Sequence, residues 1–531
     1  MAGAVEGGRP STVLALDVDA PSYKWLVAAI LLVAGGTQTF AGNSVNLAIP
    51  RLMAAFGTDL ATTQWVTTGF LIARTLMIPI LGWLGAVMGN RNLFVAIMVG
   101  FVVSSIGCGL STNLPMLVFF RLLQGIALGP MEGLTAVILV QTFPARQRGL
   151  ALGLRTLGWS AGHIISFTLG GYFLEHVSWR LIFFMGLPTG VLSVLLGWLM
   201  LPQQRDARRE PVDYPGLMFL GGFLVPLLLA ISLARDRNTA VSTIVLLGIG
   251  AASGGGLFIL WELIARFPAV NLRLFRRSGL RSVCITAFFN MIGLFGAQFM
   301  VPIFLQQVMG FTPLQAGLII VPALVVSGLS GVVSGRLNDL ISPALMAMIG
   351  FLVLTGVFAS FATVTTLTTA GVLIGYIILY RTCMFSTITS LTALNVQMLP
   401  PEDVRMGQGL MGVTRNIGAS LGVTVTSVFF ERRRAAHQLV SYHEYDAMAP
   451  THTTALDDVK HYLNQAGIMD GSADWGALKT IKQQMDLEAV AAGFRDSFLM
   501  IGAAFLLACL PMVWIVMQRL ANRSRSHAGA S

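Results

Sequence analysis

Residues 92–111 read NLFVAIMVGFVVSSIGCGLS, twenty positions without one charged side chain. A helix that crosses a bilayer needs about 20 mostly apolar residues, and such stretches recur over residues 24–202 and 215–518. Of the 531 residues, 55% are hydrophobic and 11% are charged, against about 25% charged in a soluble domain. A soluble fold of this size could not hide so much apolar surface from water. The sequence therefore predicts an all-α polytopic membrane protein.

The apolar stretches form fourteen helical runs, which we group as six, two and six. The runs cover about 24–47, 62–88, 92–111, 114–142, 149–176, 180–201, 215–233, 243–265, 283–308, 313–336, 343–363, 367–393, 407–430 and 494–518. The expected organisation is a tail (1–22), an N-terminal six-helix bundle (23–202), a linker with two extra transmembrane helices (203–281), a C-terminal six-helix bundle (282–518) with an external loop (431–493), and a second tail (519–531). Transporters are commonly built from such repeats, with the substrate site near the midplane between them.

An even number of spans places both tails on the same side of the membrane. Arginines concentrate in short loops on that side, as in 203–213 and 266–281, and are scarcer in the opposite short loops. The positive-inside rule then puts both termini in the cytoplasm, and the membrane we expect is a bacterial inner membrane. Residues 1–22 lack a basic start and an early apolar core, so we expect no cleaved signal peptide.

Several function classes find no support in the sequence. The formal charge is +10, but the basic residues lie mostly in loops between apolar runs, which argues against nucleic-acid binding. The four cysteines have no CxxC partner, and the histidines of the 431–493 loop lack a metal-ligand spacing, so neither a disulfide framework nor a metal site is expected. No GxxxxGK[ST] or HExxH motif occurs. We expect no enzyme, no cofactor and no metal.

A set of motifs at helix ends resembles a known family. The motifs are Asn46–Pro50 (NLAIP), Gln64–Val66, Arg121–Gly125 (RLLQG), Gly170–Gly171, Trp179–Gly190 (WRLIFFMGLPTG), Pro268–Phe275 and Arg415–Gly422 (RNIGASLG). They are similar to those of the major facilitator superfamily, and within it to the fourteen-helix drug:proton antiporters of the Emr type. The likeness covers nearly the whole chain. It implies the major facilitator fold, export of small molecules by antiport, and a periplasmic adaptor protein docked on the external loop.

The chain departs from the family pattern at several acidic and helix-breaking positions. The first-helix carboxylate of the family aligns with Ala41, and the acid of its GxLADRxGR loop motif aligns with Ala86. The central Gly-Pro of its fifth-helix antiporter motif reads Ser166-Phe167, which we expect to stiffen that helix. These departures leave proton coupling open. The resemblance assigns gating or structural roles to Gly82, Gly89, Arg91, Ser166, Phe167, Gly170, Gly171, Arg336, Asp339 and Arg415.

The charged residues inside apolar runs include Arg74, Arg121, Arg155, Arg381 and one clear carboxylate, Glu132. Each costs about 2.5–3.5 kcal/mol on insertion scales, so such groups normally face the protein interior or a wet cavity. Glu132 lies eleven residues before Phe143 and Arg155 seven residues after Arg148, roughly 16 and 10 Å deep at helical rise. These depths let the two side chains pair.

Two interpretations of these charges stay open. In the first, Arg74, Arg121 with Gln124, Arg155 and Arg381 line a substrate cavity and attract an anionic group, while Glu132 or His163 carries a proton. In the second, Glu132 and Arg155 form a structural pair, and the remaining arginines bind backbone carbonyls.

Three functions follow, in order of preference. The first is a secondary active exporter of amphipathic small molecules that works by alternating access, with the substrate, protons and the lipid bilayer as partners. The second is an anion or lipid-like metabolite uniporter or symporter of the same fold, which the alanines at positions 41 and 86 favour. The third is a membrane scaffold or sensor that transports nothing.

Overall fold

The computed structural model is helical throughout the part of the chain that it describes. That part comprises residues 20, 22–58, 60–63, 65–78, 80–203, 213–233, 239–265, 272–311, 313–365, 368–400, 403–444, 461 and 470–528. No strand occurs in these ranges. The prediction of an all-α chain is confirmed. The side chain of Phe167 and the burial of Gly171, two of the motif residues, lie outside the described structure.

Eighteen α-helices and two short 3-10 turns, at Ala145–Gln147 and Leu272–Arg276, form the described structure. The helices are α1 (Tyr23–Phe56), α2 (Leu60–Thr63), α3 (Trp65–Met77), α4 (Leu81–Met88), α5 (Asn90–Gly109), α6 (Leu114–Leu128), α7 (Met131–Thr142), α8 (Arg148–His176), α9 (Leu181–Phe184), α10 (Gly186–Met200), α11 (Tyr214–Leu233), α12 (Val241–Ile264), α13 (Ser278–Gln307), α14 (Pro313–Leu340), α15 (Pro343–Phe361), α16 (Ala370–Gln397), α17 (Val404–Glu444) and α18 (Asp470–Ala528).

Eleven described helices or helix pairs are long and apolar enough to cross a membrane, and the bent pair α3–α4, with an angle of 63°, makes a twelfth. The long helices α8 and α17 fall outside that set, and both carry charged side chains, among them Arg155 and Arg415. With these two included, each of the fourteen predicted runs corresponds to a helix or a helix pair. The chain is an integral membrane protein.

The helices pack in two groups, which we call the first and second bundles. In the first bundle, α1 packs on α8 and α10, and α6 packs on α3 and α5. In the second, α13 packs on α17 and α18, and α15 packs on α16 and α18. Each bundle has its own core of buried apolar side chains. The precise domain limits drawn from the sequence stay a prediction.

The first extra helix, α11, lies between the two bundles on one side. It packs on α3 of the first bundle and on α17 of the second. Its buried face is a stripe of apolar residues, Leu220, Leu224, Leu228 and Ile231. The hydroxyl of Thr424 on α17 donates to the Ile231 carbonyl at 3.3 Å. The partner of α11 is α12, whose outward face is largely exposed apolar surface, as expected for contact with lipid.

Two helices of the second bundle extend well beyond the others. The 41-residue α17 and the 59-residue α18 continue as an antiparallel pair into the region predicted as the external loop. Asp496 of α18 accepts hydrogen bonds from Arg433 at 2.6 Å and from His437 at 2.8 Å. Asp486 accepts from Gln438 at 2.7 Å. These bonds hold the projecting pair together, which we call the outer hairpin (431–444 with 470–493).

Candidate functional site

The carboxylate of Asp339 joins the two bundles. It lies at the end of the molecule where α8 begins and α14 ends, and we call this end the basic end. The two oxygens of Asp339 on α14 accept the backbone N–H groups of Gly149, at 2.7 Å, and Leu150, at 2.9 Å. Both amides lie in the first turn of α8, where N–H groups have no helical partner and the helix dipole favours negative charge. Asp339 therefore caps a helix of the other bundle.

Four glycines allow α8 and α14 to touch backbone to backbone below this cap. A Cβ on Gly153 would lie 2.3 Å from the Gly331 carbonyl oxygen, and one on Gly335 would lie 2.3 Å from the Gly149 carbonyl oxygen. Within each helix the two glycines have the GxxxG spacing, Gly149 and Gly153 on α8 and Gly331 and Gly335 on α14. Membrane helices approach each other closely by this spacing. This contact, which we call the glycine seam, closes the basic end on one side.

A cluster of charges joins the bundles deeper in the molecule. The Glu132 carboxylate on α7 pairs with Arg74 on α3 at 3.3 Å and with Arg415 on α17, in the other bundle, at 3.5 Å. Arg415 also donates to the Thr392 hydroxyl at 2.9 Å. Arg155 on α8 donates to the backbone carbonyl of Glu132 at 2.8 Å. With three arginines and one glutamate, the group, which we call the charge cluster, is a cross-bundle tie.

Glycine and proline positions bring the cluster together. A Cβ on Gly129 would lie 2.6 Å from the Arg74 carbonyl oxygen, and one on Gly125 would lie 2.4 Å from the Phe70 carbonyl oxygen. The small residues let α6 lie against α3. Pro130 follows, interrupts the helix between α6 and α7, and places Glu132 in the first turn of α7.

Arg155 lies next to Glu132, as the helical depths predicted, but the predicted pairing partner was wrong. Its guanidinium binds the backbone carbonyl, and the carboxylate is taken by the two other arginines. The guanidinium also lies 4.6 Å from the Trp159 ring centroid, within cation–π range. The helical rise predicts how far along α8 Arg155 lies. It does not predict the direction in which the side chain points about the helix axis.

Arg121 and Gln124 lie inside the first bundle, and their assignment to a substrate cavity stays a prediction. Arg121 is fully buried and donates to the carbonyls of Val66 and Ala41, both at 3.1 Å, and to the Gln124 side chain at 2.6 Å. Its guanidinium lies 4.2 Å from the Phe70 ring centroid. These contacts join α6 to α1 and α3.

Arg381 lies between the bundles and differs from the other buried arginines. It is 6% exposed, and within the described ranges it has no hydrogen bond and no ion pair. It lies within electrostatic range of His163, across the contact between α16 and α8. The His163 Nδ1 lies 2.9 Å from the Trp159 carbonyl oxygen, and it must be the donor because a carbonyl only accepts.

The remaining motif residues divide between turns, packing and exposed surface. Gly89 has a positive φ of 76° between α4 and α5, which favours glycine. Gly82 lies against Met406 of the other bundle. Ser166 and Gly170 are buried on α8, while Arg91 lines a small polar cleft with Asn90 and Gln141. Arg336 is exposed, and no ion pair between it and Asp339 is present among the described residues.

The sequence did not identify all of the cross-bundle contacts. Arg415 was assigned only to a motif, and its pairing with Glu132 joins residues 283 positions apart. Thr392 was not singled out at all. The glycine seam carried a recognisable signal in its two GxxxG spacings, and that signal was not used.

Comparison with known proteins identifies a family and relatives of this chain. Residues 29–423 match the family described as the Major Facilitator Superfamily. The chain is 30% identical over 479 residues to the fatty acid resistance protein FarB of Neisseria gonorrhoeae, covering 88% of this chain and 91% of that protein. It is 28% identical over 490 residues to the multidrug export protein EmrB of Escherichia coli K12, covering 90% and 92% of the two chains.

Solved structures resemble the fold at low sequence identity. The human organic anion transporter MFSD10 superposes with a TM-score of 0.62 at 13% identity, covering 93% of this chain and all of that one. The proton:xylose symporter XylE superposes with a TM-score of 0.56, also at 13% identity, covering 93% and 96%. The resemblance predicted from the motifs is confirmed.

Proposed function

This chain belongs to the major facilitator superfamily, among the relatives of the Emr-type exporters, and on that premise we propose that it exports amphipathic small molecules by alternating access. It is a secondary transporter and not an enzyme. The observation that carries the proposal is the set of cross-bundle contacts at and below the basic end: the Asp339 cap, the glycine seam and the charge cluster.

These contacts suit a protein that alternates between two states. Opening the basic end requires loss of the two Asp339 hydrogen bonds and of the Glu132–Arg415 pair. Hydrogen bonds to charged groups contribute about 1.5–3 kcal/mol each, so the whole set is worth only several kcal/mol. A substrate or a proton can reverse a difference of that size by binding one state more tightly.

We propose Glu132 as the group that couples protonation to this change. The carboxylate of the family's first helix is absent, because that position is Ala41 and its carbonyl accepts from Arg121. Protonation of Glu132 would neutralise the only acid of the charge cluster. Its attraction to Arg74 and Arg415 would then be lost, and the cross-bundle tie would weaken on the α17 side while the Asp339 cap stays in place.

The test is transport in a pump-deleted bacterial host and in everted membrane vesicles. Cells that express the wild type should show lower drug and fatty-acid susceptibility, and a protonophore should abolish the difference. Glu132→Gln should remove proton-driven transport, whereas Glu132→Asp, which keeps the acid, should retain part of it. Transport that persists in Glu132→Gln vesicles and still responds to the proton gradient would exclude Glu132 as the carrier.

The second candidate is an anion uniporter or symporter. The positive charge of the cluster, together with Ala41 and Ala86 at the acidic positions of the family, favours it. It predicts that transport continues in the presence of a protonophore. A wild type that moves no solute at all under either condition would leave only the scaffold or sensor function.

We further propose that the basic end faces the cytoplasm of a bacterial inner membrane and that the outer hairpin docks a periplasmic adaptor. The hairpin extends outward from the bundles and exposes apolar side chains, including Leu439 and Val440. Leu439→Asp should abolish resistance in cells while leaving transport in vesicles intact, because only cellular resistance needs the adaptor. Equal loss in both assays would argue for a defect in the transporter itself.

A further inference from the structure

Five arginines inside the bundles, four of them buried and Arg74 half-buried, differ in how their charge is compensated. Arg74 and Arg415 share a carboxylate. Arg121 and Arg155 donate to backbone carbonyls at 2.8–3.1 Å. Arg381 alone among these five has neither kind of partner in the described structure, although it is only 6% exposed. Its Nε is buried without a hydrogen-bond partner in the described structure, although a charged group taken out of water normally has one.

Helix geometry places this arginine between the two bundles, on the far side of the charge cluster from the basic end. Arg381 lies seven residues, or two turns, from Ile388 on α16, and therefore on the same helix face. The Ile388 carbonyl accepts from Arg415 at 3.4 Å, so Ile388 marks the level of the charge cluster. Two turns span about 10 Å. Arg381 thus lies about 10 Å from the cluster in the direction away from the basic end, where α16 meets α8 of the other bundle.

The surroundings fit one small anionic head with an apolar body. The Tyr380 ring lies 5.4 Å from the guanidinium, and Phe385, one turn further along, is buried. Trp159 on α8 packs against the apolar core of the second bundle. His163 donates its Nδ1 proton to a carbonyl and carries no negative charge that would satisfy the arginine. The planar guanidinium matches the two oxygens of a carboxylate.

We propose that Arg381 is the anion subsite of this transporter and that its substrates are amphipathic monocarboxylates. This inference rests on the exporter function proposed above. The guanidinium of Arg381 pairs with the carboxylate of the substrate as Arg74 and Arg415 pair with that of Glu132, and the apolar chain of the substrate lies beside the Tyr380 ring.

Binding to the purified protein in nanodiscs tests the subsite directly. The probes are lauric acid and its methyl ester, which share a chain and differ in charge. The wild type should bind the acid on the order of tenfold to a hundredfold more tightly than the ester, as expected for a charged hydrogen-bonded pair. Arg381→Gln should abolish that preference and leave ester binding unchanged, and Arg381→Lys should retain part of it. Arg281→Gln, which changes an exposed arginine of the same bundle, should behave as wild type.

Thermal stability separates a binding arginine from a structural one. Arg381→Gln should unfold at the same temperature as the wild type or higher, because it removes an uncompensated buried charge. Lauric acid should raise the melting temperature of the wild type and not that of the variant. A large drop in the melting temperature of the variant, or an unchanged preference for the acid, would overturn the proposal.

The outcome is distinguishable from failure of the exporter function. If wild-type vesicles extrude a cationic dye but the acid preference does not depend on Arg381, the anion subsite is wrong and the exporter stands. If wild-type vesicles extrude neither the dye nor the acid while the acid still binds through Arg381, the subsite stands and export is wrong.

Discussion

Asp339→Asn should shift the protein towards the state in which the basic end is open. In the wild type, the two carboxylate oxygens accept from Gly149 at 2.7 Å and from Leu150 at 2.9 Å. An asparagine keeps one neutral acceptor oxygen and directs an amide N–H₂ group at the other backbone donor. One charge-assisted bond is lost and the other weakened, a change of about 2 kcal/mol. The ratio of closed to open molecules should fall by about 30-fold.

Distance measurements between spin labels can follow that shift. Cysteines at Arg146 and Leu340, both exposed at the basic end on opposite bundles, would carry the labels in a background that lacks the four native cysteines. Asp339→Asn should move the distance distribution to longer values. Asp403→Asn is the matched control, because Asp403 pairs with Arg277, which directly precedes α13 of the same bundle, at 3.5 Å. Equal distributions for Asp339→Asn and the wild type would refute the assignment of Asp339 as a cross-bundle cap.

Two other substitutions test the packing. Gly153→Val should force the glycine seam apart and abolish transport, at a cost of about 1–3 kcal/mol, because a Cβ there would clash with the Gly331 carbonyl oxygen. Gly317→Val is the control and should be tolerated, because nothing lies within 4 Å of a Cβ at that position. Equal effects of the two substitutions would contradict the glycine seam. Arg121→Gln should lower the melting temperature by removing a buried guanidinium from two carbonyls, at about 3–5 kcal/mol. It should leave the preference for an acid over its ester unchanged, and loss of that preference would return Arg121 to the substrate path.

The helices could be predicted from the sequence because each is a local property of the chain. Twenty consecutive apolar residues predict a span whatever surrounds them, and residues 92–111 formed the helix Asn90–Gly109. Orientation about the helix axis is different. The prediction paired Glu132 with Arg155 on depth alone, and the structure gave the carboxylate to Arg74 and Arg415. Those contacts depend on the Gly-Pro break before α7 and on packing between bundles, and neither follows from depth.

The same distinction explains the role of Arg121. Its motif marked Arg121 as a candidate functional residue. A motif does not show whether the guanidinium faces a cavity or a backbone carbonyl. The structure decides by burial, since the side chain is fully enclosed and bonded to α1 and α3. In contrast, Arg381 belongs to no matched motif; its place inside an apolar run marked it in the sequence, and the structure adds that its buried Nε has no hydrogen-bond partner among the described residues.

The two sides of the basic end are closed by different chemistry, and this difference bears on coupling. On one side, Asp339 caps α8 and the glycine seam lies below it. On the other side, Ala86 occupies the position of the equivalent acid. The contact near it is apolar, because Gly82 lies against the sulfur of Met406. The charge that this second side lacks at its surface is found deeper, in the Glu132–Arg415 pair. A proton on Glu132 would therefore release the α17 side and leave the Asp339 cap in place. Substrate binding between the bundles must then supply the free energy that breaks the cap, so that neither event alone opens the basic end, which is the condition that coupled transport requires.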